Sequence, residues 1–485
     1  MSKTMDSDSA RPHIDHTRKR ILIVILSAIF MTLLSISVVN VALPAIQSSL
    51  NTGFADLQWI LSGYTLSFGI FLVGAGRAGD LFGRGGLFIF GALLFTLASI
   101  AAGLAPDPLS LNIARLLQGV GSGFLNPQGV GLIQQYFHGK ERGWAFGLFG
   151  TAVGLSVAIG PVLSGFIINT FGPELGWRLT FLINVPPGIL TIILAVRWFP
   201  KPLLLVDKFK QPGWLSSLDM IGATILGLAV LAILFPFVES YRSAWLWLLF
   251  PLGLLLIYAF VRWERHYENK GLSPMVNLRI FSINSFRRGS MVMTLFFLGM
   301  SSVWVLVPIY LQQALGFNAL TAGFIGVPAA LLTSWASSRA GNVVHRYGVK
   351  VILVGISTTL IGILLSMLAV YLNVRYDISI WWMTIGLSLF GLGQGITISP
   401  NQTLTLSEVP LDYAGSSGAI VQTGQRIGTS IGIAIITALV FTLQPMYSWM
   451  TAMIFGYIGV FAIISLSLLI ALYDWRNSRK TAKNA

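Results

Sequence analysis

Apolar residues along this chain come in long uninterrupted runs rather than in the alternation of a half-buried strand or the single stripe of a surface helix. Fourteen runs are long enough for a helix to cross a bilayer, which takes about 20 mostly apolar residues. They fall near 21–44, 57–76, 87–105, 110–134, 144–170, 178–199, 218–238, 243–264, 288–312, 318–340, 350–372, 380–404, 416–443 and 449–473. The pattern predicts an all-α integral membrane protein with 14 transmembrane helices. An even number of spans puts both termini on one side.

Polar segments between the runs divide the chain. Residues 1–20 read as a disordered cytoplasmic tail, 21–199 as an N-terminal six-helix bundle and 200–287 as a linker carrying two extra transmembrane helices. Residues 288–473 read as a C-terminal six-helix bundle and 474–485 as a second cytoplasmic tail. The break at 200–217 contains Pro200, Pro202, Lys208, Lys210, Pro212 and Gly213. The first run follows Arg18, Lys19 and Arg20. It is too long for a signal-peptide core and no small-residue cleavage site follows it, so it reads as a retained span.

Charge fixes the expected orientation. Of the 31 Lys and Arg residues, 26 fall in segments on the side of the termini, and only Arg178, Arg242 and Arg375 fall on the other. Arg115 and Arg426 lie inside spans. Basic loops stay in the cytoplasm, so the termini are expected there, in a multi-pass protein of the plasma (inner) membrane. The same distribution explains the net charge of +14 without nucleic acid as a partner.

Composition supports this and narrows the chemistry. The chain is 55% hydrophobic and 10% charged, with a mean hydropathy of +0.77, whereas a soluble domain is about 25% charged. With no cysteine there is no disulfide, thiolate metal site or cysteine nucleophile. No His cluster, acid pair or phosphate-binding Gly-Lys-Ser/Thr motif is apparent. The chain is therefore expected not to be an enzyme and to need no cofactor or metal.

The two six-helix blocks look like repeats. The segment after the second span reads G-R-A-G-D-L-F-G-R (76–84), and that after the tenth reads G-N-V-V-H-R-Y-G-V-K (341–350). Both keep Gly-x6-Gly. The fourth span holds Gly119, Gly121, Gly123 and Pro127; the twelfth holds Gly391, Gly393, Gly395 and Pro400. Parallel halves with a site between them are a transporter architecture.

With these motifs in hand, the chain resembles the major facilitator superfamily, in its fourteen-helix drug:proton antiporter branch of the multidrug efflux type. The resemblance rests on S-V-V-N-V-A-L-P (37–44), the 76–84 segment and R-L-L-Q-G-V-G (115–121). It rests also on Gly154 with G-P-V-L-S-G (160–165), and on W-R-L-T-F-L-I-N-V-P-P-G (177–188). It implies the major facilitator fold, two six-helix bundles plus two inserted helices, acting as a monomeric secondary transporter by alternating access. The expected partners are a small-molecule substrate, the lipid bilayer and protons as coupling ion.

Residue expectations follow. Gly76, Asp80, Gly83 and Arg84 form a gating loop: the glycines permit tight turns, and Asp80 caps a helix or pairs with Arg84 or Arg77. The resemblance implies a latch made in one conformation and broken in the other; a static topology charge is the alternative. His345 stands at the Asp80 position of the second copy. Arg115, Gln118, Ser122 and Asn126 form a polar stripe within about 20° of one line, and Gln422, Arg426, Ser430 and Thr437 form another. With Asn40, Gln394 and Asn401 they are expected to line a transport pathway; interhelical hydrogen bonding is the alternative. Gly154, Gly160, Pro161 and Gly165 imply a bend at the interface between halves, or an ordinary kink. Trp304 is the one aromatic read as a cavity residue rather than a membrane-interface anchor.

One position departs from the family. Its proton-coupled members carry an Asp just before V-N-V-A-L-P, and here Ser35 stands there. None of the 17 acids reads as deep in a span, with Asp56, Asp219 and Glu408 at span ends. This leaves Asp56, Asp80 and Glu408 as the expected proton-coupling candidates. Export of drugs or other amphipathic small molecules is the leading expectation. A carrier of a specific metabolite, lipid or siderophore, with an anionic cargo suited to two arginines, is the alternative.

Overall fold

The computed structural model describes residues 15–52, 54–205, 218–239, 243–317 and 319–484. Fifteen α-helices occur among them: α1 His16–Leu50, α2 Phe54–Phe82, α3 Arg84–Gly103, α4 Pro108–Tyr136, α5 Gly139–Leu182, α6 Val185–Trp198, α7 Met220–Glu239 and α8 Leu249–Asn269. The others are α9 Asn284–Ile309, α10 Ala319–Phe324, α11 Val327–Tyr347, α12 Val349–Tyr376, α13 Met383–Thr405, α14 Ala414–Leu443 and α15 Trp449–Asn484.

By length and composition alone, 10 helical stretches could cross a membrane, one of them the 60 residues of Gly139–Trp198. At 1.5 Å per residue that stretch would be about 90 Å long, three times the hydrocarbon thickness. It breaks at Gly172, whose φ of 78° only glycine adopts freely, and so forms two spans. Three further membrane-length segments, α4, α10–α11 and α13, are less apolar because they bury polar side chains inside the protein. Together these make the fourteen spans.

Sequence chemistry explains the ends. Asp107 caps α4, accepting from the Ser110 amide at 2.9 Å, with Pro108 preset for the first turn. Asn51 and Asp377 close α1 and α12 in left-handed conformation.

In the first bundle α1 packs on α5, and α4 on α2 and α3. In the second, α13 packs on α11 and α12, and α9 on α14 and α15. The second bundle has an apolar core of its own, whereas the main core of the first continues into Phe286, Leu406, Ala419 and Val421 of the second. The bundles meet along two seams, α5 with α11 and α2 with α14. The inserted pair α7–α8 leans on α2 and α14.

Several boundaries differ from expectation. Helix α1 begins at His16, inside the segment read as a disordered tail, because Arg18 pairs with Glu141 at 2.5 Å and Arg20 stacks on Trp198. Residues 1–14 of that tail lie outside the described residues, as do Lys208, Lys210, Pro212 and Gly213. Helix α9 starts at Asn284 rather than 288. Helix α15 continues past 473 to Asn484, and Asp474 binds Arg288 at 2.6 Å. Helix α5 passes through Pro161 without leaving helical geometry; its break is at Gly172.

Candidate functional site

The polar ties between bundles lie on the side of the termini. Asp80, in the last turn of α2, has a fully buried side chain. Its two oxygens accept from Arg84 Nε at 3.1 Å and Nη2 at 2.8 Å. They also accept from the Gly415 amide at 2.8 Å, and from the Ser416 amide and hydroxyl at 2.9 and 3.0 Å. Gly415 and Ser416 open α14, so a carboxylate of one bundle caps a helix of the other, where the helix dipole favours a negative charge. Arg84 adds a bond to the Leu411 carbonyl at 2.6 Å, and Gln134 one to the Ala414 carbonyl at 2.9 Å. Of the two partners expected for Asp80, Arg84 is the one that binds it; Arg77 donates no bond to it.

The glycines of this motif divide their work. Gly83 makes the turn between α2 and α3 with φ 107°. Gly76 makes no turn: it is inside α2, and a Cβ there would sit 2.8 Å from the Gly415 carbonyl. The second copy behaves alike. Gly348 turns with φ 55°, while Gly341, inside α11, lies so close to Gly143 of α5 that a Cβ on either would strike the other's carbonyl. The first glycine of each copy is thus a close approach between bundles. His345, by contrast, is exposed and latches nothing.

The α5–α11 seam continues through Gly147, where a Cβ would lie 2.9 Å from the Ser337 carbonyl, then Gly150 and Gly154 against Ser337 and Ser334. Thr151 and Ser334 exchange hydroxyl–carbonyl bonds of 2.9 and 3.3 Å. Gly160 faces Ser37 of α1 in its own bundle instead, and Pro161 and Gly165 are half-buried. Gly154 alone of that quartet makes a glycine contact between the halves. Gly143, Gly147 and Gly150 went unread in the sequence, although their spacing of three and four marks one helix face. Arg142 was also unread: it bonds the Leu406 and Ser407 carbonyls beyond the end of α13 at 3.3 and 3.4 Å, where a cation suits a helix C-terminus.

The fourth-span stripe is not on a cavity wall. Arg115 is 1% exposed and Gln118 and Ser122 are 0% exposed. The guanidinium donates to the Ile60 carbonyl at 2.8 Å, Gln118 Oε1 at 2.7 Å and Ser35 Oγ at 3.4 Å, and lies 4.5 Å from the Tyr64 ring centroid. Gln118 passes the network to Ser99, and Tyr64 to Ser122 at 2.6 Å. Asn126 is buried and turns back on the Ser122 carbonyl. Ser35, the position of the family's acid, therefore faces Arg115 within the first bundle. Arg115→Ala is expected to cost about 3 kcal/mol of stability, because buried acceptors lose a charged donor, and to lower the thermal midpoint of the purified protein. An equally stable but transport-dead Arg115→Ala would return this residue to the pathway.

Gln394, Asn401 and Gln422 are also buried; Asn401 binds the Gly289 carbonyl at 3.0 Å within the second bundle. Trp304 packs edge-on against Phe390 there, at 5.8 Å. Of the expected pathway residues, Asn40, exposed on α1, and Arg426, Ser430 and Thr437 on α14 keep accessible surface. Arg426 crosses the centre of the molecule to cover Phe68 of α2, 4.7 Å from the ring centroid. Among the described residues no carboxylate pairs with it.

The acids fall differently from expectation too. Asp56 accepts from Thr52 at 3.0 Å in the first turn of α2. Glu408 is exposed and accepts from Ser285 at 2.8 Å. Two others are buried together at the ends of α7 and α8: Asp219, 2% exposed, and Glu264, 0% exposed. The sequence reading that no acids pair is overturned here. Glu264 ends an amphipathic run, so its direction was undecided until α8 packed on α7.

A family model described as Major Facilitator Superfamily matches residues 25–211 and 212–433. The "Probable actinorhodin transporter" of Streptomyces coelicolor is 33% identical over 442 residues, covering 90% of this chain and 75% of that protein. The "Puromycin resistance protein pur8" of Streptomyces alboniger is 31% identical over 428 residues, 86% of this chain and 81% of its own. Among solved structures, the proton:xylose symporter XylE bound to 6-bromo-6-deoxy-D-glucose superposes with a TM-score of 0.65 at 15% identity, over 95% of both chains. The human organic anion transporter MFSD10 superposes at 0.62 and 12% identity, over 95% of this chain and all of its own.

Proposed function

From the premise that this chain belongs to the major facilitator superfamily, we propose that it exports drugs or other amphipathic small molecules across the plasma (inner) membrane by alternating access. It is a multi-pass membrane transporter. Export is supported by relatives named for antibiotic transport and resistance. The observation that carries the mechanism is the Asp80 cap on α14. It joins the bundles through a few hydrogen bonds at one end, which can be made and broken as a unit.

The charge asymmetry supports cytoplasmic termini, and the state described is then one closed toward the cytoplasm. Gly76, Gly83, Asp80 and Arg84 act as the gate, with Gly154 in the second seam. Asn40 and Arg426 remain as pathway residues. The chain acts as a monomer.

Arg426 favours one second reading. A half-buried guanidinium resting only on an aromatic face has hydrogen-bonding capacity for an anionic group, which suits a metabolite carrier as well as a drug exporter. The test compares a deletion strain and an overexpressing strain against a panel of toxic compounds. Overexpression is expected to raise tolerance and lower accumulation for at least one amphipathic class, with deletion doing the reverse. Unchanged tolerance throughout, with an anionic metabolite accumulating in the deletion strain, would select the second reading.

A further inference from the structure

Asp219 and Glu264 form a carboxyl pair that no step described so far uses. Asp219 Oδ1 is occupied, accepting from the Gly222 amide at 3.0 Å and the Trp263 indole at 2.8 Å. Glu264 Oε2 accepts from the Val276 amide at 3.4 Å. The remaining oxygens, Asp219 Oδ2 and Glu264 Oε1, are buried and have no hydrogen-bond partner among the described residues. Both converge on Gly222. A Cβ there would sit 2.9 Å from Glu264 Oε1 and closer still to Asp219 Oδ2. The two carboxyls therefore face each other across that glycine, no more than about 5 Å apart.

Two acceptor oxygens cannot bond each other without a hydrogen, and adjacent buried carboxylates repel. One shared proton removes both faults, turning the pair into donor and acceptor. Such a pair takes up and releases its proton as a unit.

The surroundings link the pair to the gate. Arg77, on α2 one turn before Asp80, is 5% exposed and its Nε has no partner. It lies three residues before Asp80 on α2, and α2 packs on α7, the helix that begins just after Asp219. Asp80 and Tyr413 belong to the latch and to the turn that leads into α14. On α8 itself Trp263 and Tyr267 flank the pair, while Arg262, Arg265 and His266 are exposed on its outer side. One buried cation thus sits on the helix that carries the latch carboxylate, where that helix packs on the one that follows Asp219 of the pair.

We propose that Asp219 and Glu264 are a proton-binding site built by the inserted helices, and that Arg77 transmits its charge to the Asp80 latch. Loss of the shared proton adds a negative charge near Arg77, draws its field from Asp80 and loosens the latch; proton uptake does the opposite. The link to transport rests on the exporter reading, whereas the proton site does not.

The test uses the full-length purified protein, with the proton as probe. Infrared difference spectra between acid and alkaline buffer are expected to show a protonated carboxyl band in the wild type. Glu264→Gln and Asp219→Asn should each lose it, and Glu174→Gln, exposed far from the pair, should keep it. Should one of the pair variants fail to fold, the other carries the comparison. A band that survives both overturns the site.

The second readout is thiol labelling of Ser417→Cys, a buried position beside the latch, normalised to the exposed Ser407→Cys. The ratio should rise severalfold with pH in the wild-type background and stay flat with Glu264→Gln. A flat wild-type ratio overturns the link through Arg77. Neither result depends on efflux, so absence of efflux in the compound panel would count against the exporter reading alone.

Discussion

Asp80→Asn is expected to cut transport at least tenfold while leaving the protein inserted and folded. The carboxylate accepts five hydrogen bonds, three of them from the first residues of α14 in the opposite bundle. Asparagine removes the charge that faces both Arg84 and the helix dipole, and it replaces one acceptor by a donor that meets other donors. Losing one member of a buried charged arrangement costs about 3–5 kcal/mol. Most of that falls on the state in which the bundles meet, since three of the five bonds cross between them. A change of 1.4 kcal/mol is tenfold in an equilibrium, so the latched state should lose two or more powers of ten in population relative to the open one. Labelling of Ser417→Cys from the cytoplasmic side should rise accordingly. Wild-type labelling and flux in Asp80→Asn would reduce the residue to a topology charge.

Gly341→Val should be equally severe by a different route. The α5 and α11 backbones touch at Gly143 and Gly341, and the neighbouring approach at Gly147 is against the Ser337 carbonyl. These are main-chain atoms in two long helices, which have no rotamer to yield. A branched side chain forces the helices apart by more than the width of a methyl group, so the seam cannot close. Flux is expected to fall to background, with Ser417→Cys labelled from the cytoplasm as in Asp80→Asn, because both variants hold the same face open. The change should hardly lower thermal stability, since the strain exists only in the closed arrangement. Normal flux would show that closure does not need this contact.

The two predictions meet in the repeated Gly-x6-Gly motif. Its duplication was visible as a spacing, but the spacing did not say what each glycine does. The positive φ of Gly83 and Gly348 belongs to a turn that a local sequence can specify. The role of Gly76 and Gly341 depends on which helix lies opposite, and that helix is more than 190 residues away in either case.

Much about this protein was determined by sequence alone. The long apolar helices were legible from run length, because the bilayer imposes one requirement on each segment independently of the others. Asp80 and the glycines around it were likewise singled out by type and order. What the sequence left open was direction. A polar stripe on α4 could face a cavity or a neighbour, and the structure turns Arg115 onto Ile60, Gln118 and Ser35 inside its own bundle. Asp219 and Glu264, 45 positions apart, could each have faced water, and packing of α7 on α8 buries them side by side. A buried polar group is satisfied by whatever partner the tertiary fold brings to it, and in a membrane protein that partner usually belongs to another helix. Sequence therefore marked which segments are long and apolar enough to cross the membrane, and only the packed structure decided which of their polar groups meet.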